Sequence, residues 1–233
     1  MTIESIRAEV AKVLQPVPID FGGGSSVAKG TVMAYLISSQ RIRQSIDIGV
    51  YRGRSFFPQA WAHTKYTKGK VIGIDPYSSA DAMEHDQPEL EAAIKEFVDV
   101  TDFDDIYSTV DGLRSRLDVA AGSELLRMRS NDAVAQLADQ RFGLIHVDGN
   151  HDRGAALGDV TDYLPLLDAK NGFLIIDDIS WASVRPAVDF VTARMTLLYA
   201  RVDTFNDYAV FWNGTSPTKK SRLRKAIALA GEG

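Results

Sequence analysis

Short apolar runs recur along the chain, and segments with helical spacing separate them. Five such runs, each bounded by glycine or charged residues, predict strands at residues 45–49, 71–75, 125–128, 144–148 and 173–178. Apolar residues three and four apart predict helices between them, at residues 55–66, 88–98, 132–138 and 154–167. Alternation of strands and helices is typical of a parallel sheet with helices on both faces.

Both ends of the chain add elements to this alternation. Two helices are predicted before the first strand, at 3–14 and 27–38, and the segment FGGGSS (residues 21–26) links them. Runs at 199–202 and 209–212 flank the turn formers at 204–207 and predict a hairpin-like pair at one edge of the sheet. We therefore expect one α/β domain over residues 1–233, with a mostly parallel seven-stranded sheet and an antiparallel edge strand. Its parts are an N-terminal helical cap (1–40), a core (41–214) and a basic C-terminal tail (215–233), expected as a solvated helix.

Composition narrows the classes of function. A chain of 233 residues with 45% hydrophobic content can bury a full core. The absence of cysteine excludes disulfides, thiolate metal sites and a cysteine nucleophile, and it fits a reducing, cytoplasmic location. No apolar run approaches the roughly 20 residues of a membrane span, and the net charge of −5 disfavours a dedicated nucleic-acid binder. We expect neither a membrane nor a nucleic acid as partner, and a homo-oligomer is compatible with the sequence.

Several predicted strands end in a carboxylate. Asp47 lies in the first, Asp75 ends the second, Asp148 ends the fourth, and Asp177 and Asp178 end the fifth. In open parallel sheets, ligands bind beyond the carboxyl ends of the strands. A single such residue is more simply explained as a turn or cap residue, but so many at one rim predict a ligand site.

The segment DIGVYRGRS (residues 47–55) follows the first predicted strand. Gly49 and Gly53 are four residues apart, so the dinucleotide fingerprint G-x-G-x-x-G is absent. Glycines here let the backbone turn tightly and approach a ligand closely, with a helix N-terminus behind it. Asp75, 28 residues after Asp47, is placed to accept both hydroxyls of a ribose. Together these features predict a nucleoside-type ligand.

The tetrapeptide GNHD at residues 149–152 is also a signature of two-metal phosphoesterases. Those enzymes need an Asp-x-His motif upstream and further histidines downstream. Here the first strand offers DIG, and none of the four histidines comes after His151. The phosphoesterase function is therefore excluded.

A different metal site fits the same stretch. If the fourth and fifth predicted strands are neighbours, then Asp148 and the pair Asp177–Asp178, which follows 29 residues later, face one small volume. Three carboxylates without a partner repel one another, so the cluster needs a cation. Oxygen ligands without cysteine favour Mg²⁺, with Mn²⁺ or Ca²⁺ as substitutes. His146, on the same strand, is either a packed core residue or faces this cleft.

In these motifs residues 25–178 resemble the class I S-adenosylmethionine-dependent methyltransferases. The closer likeness is to the metal-dependent O-methyltransferases, which include enzymes of catechols and antibiotic sugars. The run VAKGTVMAYLISSQRIRQSIDIGVYRGRS (residues 27–55) is similar to the helix, strand and glycine turn of the catechol enzymes. The resemblance implies a Rossmann-like methyltransferase fold and S-adenosylmethionine as cofactor. The cofactor-binding residues that we expect are Val27, Asp47, Gly49, Tyr51, Gly53, Ser55, Asp75, Tyr77, Ser130, Asn131 and Asp148.

The resemblance also implies roles around the metal. Asp148, Asp177 and Asp178 would be the ligands, and His151 falls where the family places its general base. That base is lysine in the catechol enzymes and histidine in some antibiotic-sugar enzymes. Independently of the resemblance, Trp181 and the loop at 77–87, which contains His85, are placed to wall the acceptor pocket, and the alternative is a mobile lid without a specific role.

The function that we expect is Mg²⁺-dependent methyl transfer to a hydroxyl of a small molecule, either a sugar moiety or a secondary metabolite. The alternatives are a catechol or phenolic acceptor, and a non-methylating metabolite-binding or hydroxylase-like relative of the same fold.

Overall fold

Seven strands form one sheet in the computed structural model of the chain, which describes residues 2–19, 24–203 and 206–232. The strands are β1 Gln44–Ile48, β2 Lys70–Ile74, β3 Ser123–Leu126, β4 Leu144–Val147, β5 Phe173–Asp177, β6 Thr196–Asp203 and β7 Asn206–Trp212. Their order in the sheet is β3-β2-β1-β4-β5-β7-β6. Strands β1 to β5 are parallel, and β7 pairs antiparallel with both β5 and β6. The strand order reverses at β1, which pairs with β2 on one side and β4 on the other, and such a switch point is where this kind of sheet binds ligands.

Helices cover both faces of this sheet. In the described chain they are α1 Ile3–Leu14, α2 Val27–Gln40, α3 Phe56–Ala62, α4 Ser79–Ala82, α5 Glu91–Val100, α6 Phe103–Arg116, α7 Ser130–Leu137, α8 Arg153–Tyr163, α9 Arg185–Thr192 and α10 Pro217–Gly231. A π-helical turn, His63–Thr67, extends α3. Among the described residues no helix combines the length and apolarity needed to cross a membrane.

The alternation of side chains along each strand separates two hydrophobic layers. On β5, Phe173 and Ile175 pack into the layer formed with α1, α2, α3, α6 and α10. Leu174 and Ile176 point the other way, into the layer formed with α7, α8 and α9. Because both faces are covered, β5 is apolar at four successive positions, as its sequence indicated.

The predicted α/β fold class is confirmed. All five predicted parallel strands are present with bounds within two residues, and the two late runs form the β6–β7 pair. The antiparallel strand β7 lies one position inside the sheet, so β6 is the edge. Residues 21–23 of the FGGGSS segment and residues 204 and 205 of the predicted turn lie outside the described residues.

Helices α4 and α9 were not predicted, and neither was the longer helix α6. Its buried positions Ile106, Val110 and Leu113 form a narrow stripe in a segment that is otherwise rich in charged residues. Such a stripe gives little periodic signal until a partner surface is known.

The basic C-terminal tail is a packed helix rather than a solvated one. Leu223, Ile227 and Ala230 of α10 are buried, while the charged side chains of the helix point outward. The Arg7 guanidinium of α1 donates hydrogen bonds to the backbone carbonyls of Leu229 (2.6 Å) and Glu232 (2.7 Å). These carbonyls have no partner within the helix, so α1 caps the C-terminus of α10.

Substituting Ile227 tests this packing. Ile227→Ala should lower the free energy of unfolding by about 2–5 kcal/mol, because a fully buried side chain leaves a cavity. Leu229→Ala, on the same helix but 47% exposed, is the matched control and should change it by about 0.5 kcal/mol or less. The measurement is urea denaturation followed by circular dichroism. Equal effects of the two substitutions would show that the helix is not docked.

Candidate active site

A cleft of about 820 Å³ lies beyond the carboxyl ends of the parallel strands. The expected site residues in its wall are Gly49, Tyr51, Ser55, Asp75, His85, Ser130, Asn131, Asp148, His151, Asp178 and Trp181. The expected residues that do not line the cleft are Val27, Asp47, Gly53, Tyr77 and Asp177. The structure therefore brings most of the expected residues together at one cleft.

The glycine turn after β1 is in contact with the end of β4. Gly49 has a φ of +82°, and its N–H donates to the carbonyl of Ile74 over 2.9 Å. A Cβ atom at Gly49 would come within 1.8 Å of the Asp148 carbonyl oxygen, so no side chain fits there. Gly53 also has a positive φ, +89°, but it packs against the Phe57 ring and serves the turn itself.

Asp75 is held by the backbone around it. Its carboxylate accepts one hydrogen bond from the Tyr51 N–H (2.8 Å) and another from the Tyr77 N–H (2.7 Å). Burial raises the pKa of Asp75, and these two donors oppose that rise. The Tyr77 side chain turns away from the cleft and packs on the Tyr107 ring, with the ring centroids 5.3 Å apart. Tyr77 thus contributes to the site through its backbone.

A buried network of charged side chains lies beneath the cleft. His146 connects two carboxylates: its Nδ1 is 2.6 Å from Oδ1 of Asp47, and its Nε2 is 3.2 Å from Oδ1 of Asp177. The Lys29 ammonium, on α2, forms an ion pair with Oδ2 of Asp177. Burial lowers the pKa of His146, but Asp177 and Asp47 outweigh it and raise the pKa to about 10.

Asp47 supports the glycine turn from inside. It is fully buried, and its carboxylate accepts hydrogen bonds from the Ser55 hydroxyl (2.8 Å) and the Gln59 amide (3.1 Å). Ser55 follows the turn and reaches the cleft wall. Asp47 thus orients the turn that a cofactor would meet, rather than lining the cleft itself.

Asp177 is a counterion within this network. Both carboxylate oxygens already have cationic partners, and the side chain is only 5% exposed. Burial raises the pKa of Asp177, but Lys29 and His146 outweigh it and hold the pKa well below its usual range.

Two groups of side chains in the described chain come close enough to share one ion. They are His146–Asp148–Asp177 and Asp148–His151–Asp178. In the first group a cation is already present, since the Lys29 ammonium binds Asp177 and lies 3.9 Å from Oδ2 of Asp148. The second group faces the cleft.

The cleft-facing group has the character of a cation site. Nε2 of His151 lies 2.8 Å from Oδ2 of Asp178 and 3.6 Å from Oδ1 of Asp148. That nitrogen is buried, and no described residue gives it a hydrogen bond of acceptable geometry. Burial and the charge of Asp177 raise the pKa of Asp148 to about 7, although Lys29 opposes the rise. The negative charge of Asp148 is therefore incompletely compensated.

Glu84 fixes the orientation of His151. Its Oε1 lies 2.7 Å from Nδ1 of the imidazole and accepts a longer bond, 3.2 Å, from the His151 backbone N–H. A carboxylate at Nδ1 keeps a proton on that nitrogen and directs Nε2 toward Asp148 and Asp178. Burial lowers the pKa of His151, but the neighbouring carboxylates outweigh it and raise the pKa well above its ordinary value.

The loop that carries Glu84 is fastened to the GNHD segment. The Asn150 amide donates to the carbonyls of Asp81 (3.1 Å) and Met83 (2.8 Å). Oδ1 of Asp152 accepts from the backbone N–H groups of His85 (2.6 Å) and the next residue (2.8 Å). The GNHD segment thus holds the wall of the cleft beside His151.

Two expected acceptor contacts line that wall. The Trp181 ring packs on the His151 ring, with the centroids 4.8 Å apart and the planes tilted by 45°. The His85 side chain is exposed, and only its backbone has a fixed partner in the loop.

Sequence reasoning missed Lys29 and Glu84. Lys29 had a signal, because it is the one charged residue in the apolar segment VAKGTVMAYLISS of α2. Glu84 had none, since its partner His151 lies 67 residues away in sequence.

Known proteins resemble the chain over most of its length. A family model described as a methyltransferase domain matches residues 46–179. The O-methyltransferase NovP superposes with a TM-score of 0.64 at 12% identity, over 91% of this chain and 98% of its own. A putative O-methyltransferase from Klebsiella pneumoniae gives 0.63 at 13% identity over 90% of both chains. The S-adenosylhomocysteine-bound methyltransferase PaMTH1 from Podospora anserina gives 0.57 at 18% identity, over 89% of this chain and 87% of its own.

These structural likenesses confirm the predicted Rossmann-like methyltransferase fold. No curated protein sequence matches the chain.

The buried network makes a stability prediction. Lys29→Met should lower the free energy of unfolding by about 3–5 kcal/mol, because it leaves Asp177 buried without its main cation. Lys12→Met is the matched control: Lys12 pairs with Glu9 at the surface, its side chain is 71% exposed, and its loss should leave stability unchanged. Chemical denaturation of both variants measures the difference, and a fully stable Lys29→Met variant would contradict the prediction.

Proposed function

Because the chain belongs to the methyltransferase domain family, we propose that it transfers a methyl group from S-adenosylmethionine to a hydroxyl oxygen of a small molecule, with a divalent ion bound beside the acceptor. The observation that carries this proposal is the group Asp148, His151 and Asp178, which shares one cleft with the glycine turn and Asp75. Relatives of the same fold, NovP among them, are named O-methyltransferases.

In this proposal, residues that line the cleft would bind the adenosyl cofactor. Asp75 would accept the ribose hydroxyls, and Gly49, whose missing side chain lets the turn contact the end of β4, would present its backbone to the cofactor. Ser130 and Asn131 would contact the adenine. Four residues expected to bind the cofactor do not line the cleft, and in this proposal they would not contact the cofactor through their side chains: they are Val27, Asp47, Gly53 and Tyr77. That a relative of the fold is described with S-adenosylhomocysteine bound supports the choice of cofactor.

The donor set fits Mg²⁺, with Mn²⁺ or Ca²⁺ as substitutes. Asp148 and Asp178 would be the carboxylate ligands, because both residues line the cleft and belong to the group that could share one ion. Asp177 was expected as the third ligand, but its ion pair with Lys29 gives it a different part in the proposal. It would hold the network in place below the ligands.

The chain's own residues supply the rest of the chemistry. Mg²⁺, when bound, would act as a Lewis acid that lowers the pKa of an acceptor hydroxyl. His151 would accept the hydroxyl proton at Nε2, while Glu84 retains the proton on Nδ1. The imidazole must be neutral to act as a base, and a cation that offsets the charges of Asp148 and Asp178 favours that form. Trp181 would shield the ring from water on one side.

The acceptor is proposed as a sugar moiety or a secondary metabolite. Histidine rather than lysine follows Asp148 at the base position, and this favours the sugar class over catechols. Proximity and orientation would provide much of the rate acceleration, because the methyl donor is already activated.

Removing a carboxylate ligand tests the metal site. Asp178→Asn should weaken binding of Mn²⁺, measured by electron paramagnetic resonance, by roughly tenfold or more, since a charged oxygen ligand is lost. Asp162→Asn is the matched control, because Asp162 lines the same cleft outside the cluster. Methyl transfer to an acceptor identified in a screen of sugars and phenols should stop in EDTA. Full turnover in EDTA would refute the metal role.

Substituting His151 shows whether its imidazole acts as the general base or as a metal ligand. His151→Ala should reduce turnover by about 10²–10⁴-fold, the usual contribution of a general base, while calorimetry shows unchanged S-adenosylmethionine binding and Mn²⁺ affinity stays the same. His85→Ala, which removes an exposed imidazole from the acceptor wall of the same cleft, should raise the acceptor KM at most and retain turnover at saturating acceptor. If Mn²⁺ affinity of the His151 variant fell with turnover, His151 would be a ligand instead of the base.

A further inference from the structure

The cleft contains a buried carboxylate that the proposed reaction does not use. Asp159, on α8, is 7% exposed and lines the cleft in the region of Ser130 and Gly149. It is not a member of the metal-binding group, and its partner Ser130 is one of the residues proposed to contact adenine. A carboxylate in such surroundings is costly unless its oxygens are hydrogen-bonded.

Among the residues that the structure describes, only one oxygen of this carboxylate has a hydrogen-bond donor. The Ser130 hydroxyl donates to Oδ1 of Asp159. Oδ2 lies over Gly149, where an added Cβ atom would come within 2.9 Å of it. No described residue donates a hydrogen bond to Oδ2. One acceptor therefore remains unsatisfied in the wall of the cleft.

The surrounding structure fixes the direction of this acceptor. The Tyr163 hydroxyl donates to the backbone carbonyl of Ser130 over 2.7 Å, and Tyr163 itself is fully buried. The backbone of Ser130 is therefore fixed by Tyr163, while the Ser130 hydroxyl fixes Oδ1 of Asp159. Burial raises the pKa of Asp159 to about 6, as expected for a carboxylate short of donors. A ligand that brings an N–H group to Oδ2 would be stabilised there.

We propose that Asp159 recognises the 6-amino group of the cofactor's adenine ring through Oδ2, and that it selects adenosyl over 6-oxopurine nucleosides. The inference rests on the proposed function, since it requires an adenosyl ligand in the cleft. The amino group of adenine donates to a carboxylate oxygen. A 6-oxo group presents only lone pairs at that position, and repulsion between two acceptors excludes it.

The test compares two product nucleosides on the full chain by calorimetry: S-adenosylhomocysteine and S-inosylhomocysteine. The wild type should bind the adenosyl compound roughly 10- to 100-fold more tightly, the range expected for a hydrogen bond to a charged group. In Asp159→Asn the amide oxygen keeps the Ser130 bond, and the amide N–H₂ faces the purine. Adenosyl affinity should fall, inosyl affinity should rise, and the ratio should approach one or reverse.

The matched control is Asp162→Asn, three residues further along α8, which removes the same charge from the same cleft. It should keep the wild-type ratio. A residue with a purely structural role would weaken both ligands equally, so an unchanged ratio in Asp159→Asn would overturn the assignment.

The wild type alone provides a test that does not depend on folding of a variant. The 6-unsubstituted purine analogue of S-adenosylhomocysteine should bind about tenfold more weakly, because it lacks the donor. Equal binding of the three nucleosides would overturn the assignment while leaving the proposed function intact. If S-adenosylhomocysteine failed to bind at all, the proposed function would fall as well.

Discussion

The buried chain of alternating charges from Lys29 through Asp177 and His146 to Asp47 is the constraint on which the site depends. It joins α2, β5, β4 and β1, so it ties the helical cap to three adjacent strands. Burying these groups is costly, and only their alternation offsets the loss of hydration. Since the network fixes the ends of β4 and β5 side by side, Asp148 and Asp178, which follow these strands, lie together at the cleft.

The carboxylate pair at the end of β5 shows what could not be predicted from the sequence. Asp177 is the last residue of β5 and pairs with Lys29 and His146, whereas Asp178 follows the strand with a φ of +52° and lines the cleft. The sequence placed both at the correct edge of the sheet, and the class of S-adenosylmethionine-dependent methyltransferases that it indicated is confirmed. Which of the two carboxylates is neutralised depended on Lys29, 148 residues away. Glu84 and Asp159 were missed for the same reason: their partners are distant in sequence.

The fold was more predictable than the site because its main signal is local. Continuous apolar runs such as FLIID in β5 arise from burial on both faces, and they are visible without knowledge of any partner. Two helices that bury only a narrow apolar stripe were either not predicted or predicted to be solvated. Helix α6 was missed, and α10 was taken for a solvated tail although Leu223 and Ile227 are buried. In both cases the surface that the helix covers, not its own composition, decides how much of it is buried.

The loop beside His151 is bound to the GNHD segment through its backbone, and this affects how acceptor preference can change in evolution. The Asn150 amide donates hydrogen bonds to the carbonyls of Asp81 and Met83, and Asp152 accepts hydrogen bonds from two backbone N–H groups of the loop. Substitutions of most loop side chains would therefore leave these backbone hydrogen bonds intact. Descendants of this chain could exchange those side chains and accept new substrates, while the imidazole kept its orientation as long as Glu84 was retained.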